Sequence, residues 1–90
     1  MENKLKAIIN YYGIFKQLKQ FNSEIYELNE AILLDQKDNK NHIIEELADV
    51  MVMIEQLILY YNIDQDDIIK IMEKKIDRQI NRISEERGDK

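Results

Sequence analysis

Apolar residues recur along this chain at steps of three and four. Leu5, Ile8, Ile9 and Tyr12 mark one side of a short helix over residues 3–12. Gly13 lowers helix propensity and predicts a bend or break. From there the pattern is long and regular: Ile14, Leu18, Phe21, Ile25, Leu28 and Ile32 alternate steps of four and three, as in a helix with one buried seam. The polar run Asp35 to Asn41 predicts the turn of a helical hairpin, with Asn39 or Asn41 as N-cap of the next helix. A third helix carries Ile43, Ile44, Leu47, Val50, Met51, Ile54, Leu57, Ile58 and Tyr61. A second turn over 62–67 follows. Asp64 suits its N-cap, and Asp66 and Asp67 complement the dipole of a fourth helix. That helix carries Ile68, Ile69, Met72, Ile76, Ile80 and Ile83, and residues 84–90 read as a charged, frayed tail. The pattern predicts one all-α domain over 1–90, an antiparallel helical bundle.

Composition adjusts this picture in one respect. A chain of 90 residues buries only about 60–65% of its unfolded surface, so its core is thin. No Cys is present to reinforce it, which makes completion of the bundle by oligomerisation the expectation. The absence of Pro and the two Gly fit a helical chain. The net charge of -5 comes with no basic surface, which argues against a nucleic-acid polymer as partner. No apolar run approaches the roughly 20 residues that span a bilayer, so no membrane is expected. The first residues lack the apolar segment of a signal peptide, and a cytoplasmic location is the default.

The candidate chemistry lies between Glu24 and Asp49. Glu24 and Glu27 stand three residues apart, as do Glu46 and Asp49. A weak internal repeat matches Glu24, Glu27, Leu28 and Ile32 to Glu46, Asp49, Val50 and Ile54. At about 100° per residue, Glu24 and Glu27 fall at roughly 260° and 200° from Ile25, and Glu46 and Asp49 fall at the same angles from Leu47. Both pairs thus flank their seams in the same way. In an antiparallel hairpin such flanks meet only if one helix is rotated away from simple seam-to-seam packing, with a further helix or subunit closing the arrangement. Four converging carboxylates would repel one another, and burial adds to the cost. A hard divalent cation offsets that cost, and Mg²⁺ favours carboxylate oxygen while keeping waters. On the fourth helix Lys75, Arg78 and Arg82 form one cationic stripe, suited to phosphate oxygens. Together these residues point to metal-dependent attack on a nucleotide polyphosphate.

Each feature has a plainer explanation. Acids beside a seam are usually solvated or paired, and the fourth-helix cations suit salt bridges equally well. His42, the only His, reads as a surface residue. Tyr11, Tyr12, Phe15 and Phe21 read as core or interface, with base stacking as a further role for one of them. Met51, Met53 and Met72 read as packing residues.

The pattern Glu24-x-x-Glu27 followed by Glu46-x-x-Asp49 resembles the signature of the MazG-like all-α nucleoside triphosphate pyrophosphohydrolases. Glu45-Glu46-Leu47-Ala48-Asp49-Val50 is also similar, and the segment from Lys75 to Ile83 resembles the basic fourth helix of small phage and bacterial members. The resemblance implies hydrolysis of a nucleoside triphosphate to monophosphate and pyrophosphate with Mg²⁺, or Mn²⁺ in its place. It implies Glu24, Glu27, Glu46 and Asp49 as metal ligands and catalytic residues, with Lys75, Arg78 and Arg82 on phosphate. It also implies a homodimer or homotetramer with sites near the subunit interface. One departure stands out: Ser23 occupies a position where the family often has an additional acid. Two alternatives therefore stay open, a non-catalytic nucleotide-binding module and a plain helical oligomerisation module.

Overall fold

The computed structural model describes residues 1–34 and 40–88. Four helices follow in order: α1 (Glu2–Tyr12), α2 (Ile14–Leu33), α3 (Lys40–Tyr60) and α4 (Gln65–Arg87). No strand occurs among the described residues. Residues 35–39, which hold the expected hairpin turn and Asn39, lie outside them. Asn41, the other candidate N-cap, sits inside α3. Residues 84–87, assigned above to a tail, form the last turn of α4, which Gly88 closes in the left-handed conformation at φ 74°.

Gly13 separates α1 from α2 with φ 86° and ψ 157°. That conformation is open to glycine and strained for other residues. Its N–H donates to the Ile9 carbonyl at 2.8 Å, while its own carbonyl accepts from the Gln17 N–H at 3.1 Å. One residue thus ends one helix and starts the next. At the second turn Asn62 takes φ 52°, and the Asp64 side chain accepts from the Asp66 N–H at 2.9 Å. The N-cap expected there is formed, with Asp66 and Asp67 in the first turn beside the positive end of the helix dipole.

The interior lies where α1, α2 and α3 meet. Leu5 and Ile9 of α1, Ala31 of α2 and Met53 of α3 form its apolar part. Its polar part consists of Gln17, Glu24 and Gln56, the last only 2% exposed. Gln17 Nε2 donates to Gln56 Oε1 at 2.7 Å, joining the start of α2 to the end of α3. The hairpin is therefore antiparallel.

This packing corrects the expected seams. Within the chain α2 buries the stripe Gln17, Glu24, Ala31, while Leu18, Ile25 and Ile32 of the predicted seam are exposed. Leu47, Met51 and Ile54 of α3 are exposed too. The helices turn their polar flanks towards each other, which is the rotation that convergence of the acids requires. Tyr11, Tyr12 and Phe15 are also exposed, with Tyr11 and Tyr12 in an edge-to-face pair at 4.9 Å.

Helix α4 stands apart. It buries no residue, and Ile69, Met72, Ile76, Ile80 and Ile83 are all exposed. Its start is tied to α3 by Gln65 Nε2 donating to Glu55 Oε2 at 2.9 Å. The radius of gyration is 17.0 Å, against about 12 Å for a compact chain of this length. A helix that packs on its own chain would not leave so complete an apolar stripe in water.

Candidate metal centre

The two acidic pairs come from adjacent helices, and an i, i+3 spacing sets each pair on one helical face. The register follows from the glutamine pair. Two turns beyond Gln17 on α2 comes Glu24, and two turns before Gln56 on α3 comes Asp49. Glu27 and Glu46 lie one turn further along the same two faces. One carboxylate oxygen from each of Glu24, Glu27, Glu46 and Asp49 falls within 4.8 Å of the others.

The four side chains differ in environment. Glu24 is 9% exposed and Glu46 is half-buried, whereas Glu27 and Asp49 face solvent. Glu24 Oε1 accepts a hydrogen bond from Gln20 Nε2 at 2.6 Å. Its other oxygen, Oε2, is buried without a hydrogen-bond partner, and so is Oε2 of Glu46. Burial pushes the Glu24 carboxyl above its ordinary range. The Gln20 hydrogen bond pulls the other way, and the charges of Asp49 and Glu27 add to the rise. A buried acceptor with no donor is costly, and more so when charged.

These observations fit a hard divalent cation. The donor set is all oxygen, one oxygen of each acid is close enough to share a centre, and Glu24 and Glu46 each have a buried oxygen without a hydrogen-bond partner. Two exposed ligands leave one side of the centre open.

The other predicted residues divide. Lys75, Arg78 and Arg82 lie exposed on α4. Among the described residues no hydrogen bond or ion pair joins them to the four acids. His42 is exposed as expected, with Nε2 3.9 Å from Glu46 Oε1 one turn further along α3. Ser23 adds no carboxylate; its hydroxyl donates back to the Lys19 carbonyl at 3.4 Å. Three residues had gone unassigned. Gln20 was signalled only by standing one turn before Glu24, and Gln17 and Gln56 by being amides in a helical pair with a thin core.

Residues 16–88 match the model of the MazG nucleotide pyrophosphohydrolase domain. The chain belongs to this MazG family. It is 35% identical over 75 residues to a phosphoribosyl-ATP pyrophosphatase of Clostridium acetobutylicum, an alignment that covers 83% of this chain and 66% of the relative. The chain thus spans about two-thirds of the length of that relative. No solved structure matches it. The MazG match runs through both acidic pairs and all of α4, leaving only α1, Gly13 and the start of α2 before it. No helix among the described residues of this MazG domain is long and apolar enough to cross a membrane.

Proposed function

We propose that this chain hydrolyses a nucleoside or deoxynucleoside triphosphate to the monophosphate and pyrophosphate, with Mg²⁺ or Mn²⁺ held by Glu24, Glu27, Glu46 and Asp49. The observation that carries this reading is the gathering of four carboxylates within 4.8 Å, two of them with a buried, unpartnered oxygen. A cation held there would supply charge neutralisation on the phosphate chain and make water a better nucleophile. Water would attack the α-phosphorus and give up a proton to solvent, the bond from that phosphorus to the α,β-bridging oxygen would break, and pyrophosphate would leave with that oxygen. Glu24 and Glu46 act as the fixed, desolvated part of the site, while Glu27 and Asp49 face the side on which substrate arrives. An open groove lined by Asn22, Ser23, Tyr26, Glu27 and Glu30 adjoins the acids through Glu27 and offers room for the nucleoside.

The cations complete the site in an assembly of two or four copies. Lys75, Arg78 and Arg82 share α4 with the uncovered stripe of isoleucines. Burial of that stripe against a second copy would bring a cationic helix to a hairpin that is rich in acid. Guanidinium and ammonium groups then hold phosphate oxygens.

A pyrophosphate-release assay over the common triphosphates, with phosphoribosyl-ATP included because of the relative's name, tests the reading. Turnover that requires Mg²⁺ and is lost in Glu46→Gln is expected. No turnover of any substrate, with Glu46→Gln and native protein alike in metal binding, would remove it.

A further inference from the structure

The metal reading leaves open how the most buried of the four acids is held in place. Three observations bear on Gln20. It lies one turn before Glu24 on α2, and its Nε2 is 2.6 Å from Glu24 Oε1. Glu24 is nine-tenths buried, and its second oxygen has no partner. The remaining acids, Glu27, Glu46 and Asp49, bring only further negative charge.

We propose that Gln20 is a positioning residue that orients the Glu24 carboxylate for cation binding. The inference rests on the four acids forming a metal site, as proposed above. A free glutamate loses considerable rotamer freedom when it is fixed. Glu24 would also be driven away from Glu27 and Asp49 in the metal-free protein. The amide of Gln20 opposes this by holding Oε1, which fixes the carboxylate while its other oxygen stays without a partner. A carboxylate cannot accept from the amide oxygen, so the chemistry also fixes which end of the Gln20 amide faces Glu24. The donor is neutral. A lysine or arginine there would hold the carboxylate as well but would add a positive charge beside the cation. Outer hydrogen-bond partners of this kind commonly change metal affinity by about 10–100-fold. Gln20 is itself exposed, so its loss should leave the fold intact.

The test is Mn²⁺ titration by calorimetry of native protein, Gln20→Met and Tyr26→Phe, alongside melting of each in EDTA. Met keeps the length of Gln and removes the donor. Tyr26 donates to Glu30 Oε1 at 2.8 Å over the same i, i+4 spacing but outside the four acids, which makes its loss a control. The expected result is a dissociation constant raised about tenfold in Gln20→Met and unchanged in Tyr26→Phe. Metal-free Gln20→Met should melt below native protein, because Glu24 Oε1 loses its donor, whereas Tyr26→Phe should agree with native protein within about 4 °C. Equal Mn²⁺ affinity in native protein and Gln20→Met overturns the positioning role alone. Weaker binding in a Gln20→Met protein that is not fully folded without metal at the titration temperature also overturns it, since Gln20 would then support the helix rather than the ligand. If native protein binds no Mn²⁺, the metal reading falls and this inference with it.

Discussion

Gln17 and Gln56 face each other in the interior, with the amide nitrogen of one 2.7 Å from the amide oxygen of the other. Gln56 also points its own Nε2 at the Met53 sulfur at 3.9 Å, a weak acceptor. Two polar side chains at the centre of a thin core are costly unless paired, so this contact selects one alignment of α2 on α3. A slip by one turn would break it and would also separate Glu24 from Asp49. The glutamine pair and the acids are therefore two readings of the same register.

Removing one partner should expose this. Gln17→Leu leaves the Gln56 amide buried without its donor, at a cost of about 1–3 kcal/mol. Gln17→Leu with Gln56→Leu should recover much of that loss, because both polar groups are then gone. Urea denaturation of the two single variants and the double variant, read as a cycle, checks the coupling. Additive losses would mean that the contact does not fix the alignment.

Glu24→Gln should separate stability from function. The amide removes a buried charge next to Glu27 and Asp49, so the metal-free variant should melt above the native protein, by the equivalent of about 1 kcal/mol. It should no longer gain stability from Mg²⁺, whereas the native protein should, as any ligand of the folded state requires. Thermal melts with and without Mg²⁺ give both answers.

The pH dependence follows from the direction of the Glu24 shift. Its folded carboxyl titrates above the ordinary value of 4.5. Between the unfolded and folded values the folded state holds more protons, so stability falls as pH rises. In metal-free protein the Glu24 contribution is therefore complete below about pH 4.5 and is lost as pH rises through the higher folded value. Native protein minus Glu24→Gln, compared by urea denaturation across that range in EDTA, isolates this contribution from the other carboxylates. Metal binding should run the opposite way and weaken on acidification, since protons compete for the same oxygens.

Helix α4 gives the prediction for assembly. Ile76 and Ile80 lie on its uncovered stripe, each 56% exposed. If a second copy covers them, Ile76→Glu with Ile80→Glu should reduce the mass seen by light scattering and lower activity through loss of Lys75, Arg78 and Arg82 from the site. Native protein that stays monomeric at assay concentration while turning over substrate would contradict the proposed assembly.

Much of this was legible in the sequence. The steps of three and four gave four helices, Gly13 marked the first break, and Asp64 marked the start of α4 as the residue that caps it. The spacing of Glu24, Glu27, Glu46 and Asp49 singled out four acids that the structure brings together. The choice of packed face was not legible. A helical wheel ranks faces by apolarity, and by that measure Leu18, Ile25 and Ile32 should have been buried in place of Gln17, Glu24 and Ala31. Rotation of one helix on another depends on specific pairings such as Gln17 with Gln56, and on surfaces that a single chain leaves for something else. For the same reason Lys75, Arg78 and Arg82 could be assigned to a stripe but not to a location beside the acids.

The isolation of α4 also bears on how the protein breathes. Its backbone amides are shielded by little more than the helix itself, and a lone helix of this length opens and recloses on a sub-microsecond to microsecond scale. In a dissociated chain those amides would trade hydrogen with solvent far faster than the amides around Gln56, and a protease would find α4 first. Slow exchange along α4 would therefore report occupancy of its isoleucine face, residue by residue, with no substrate present.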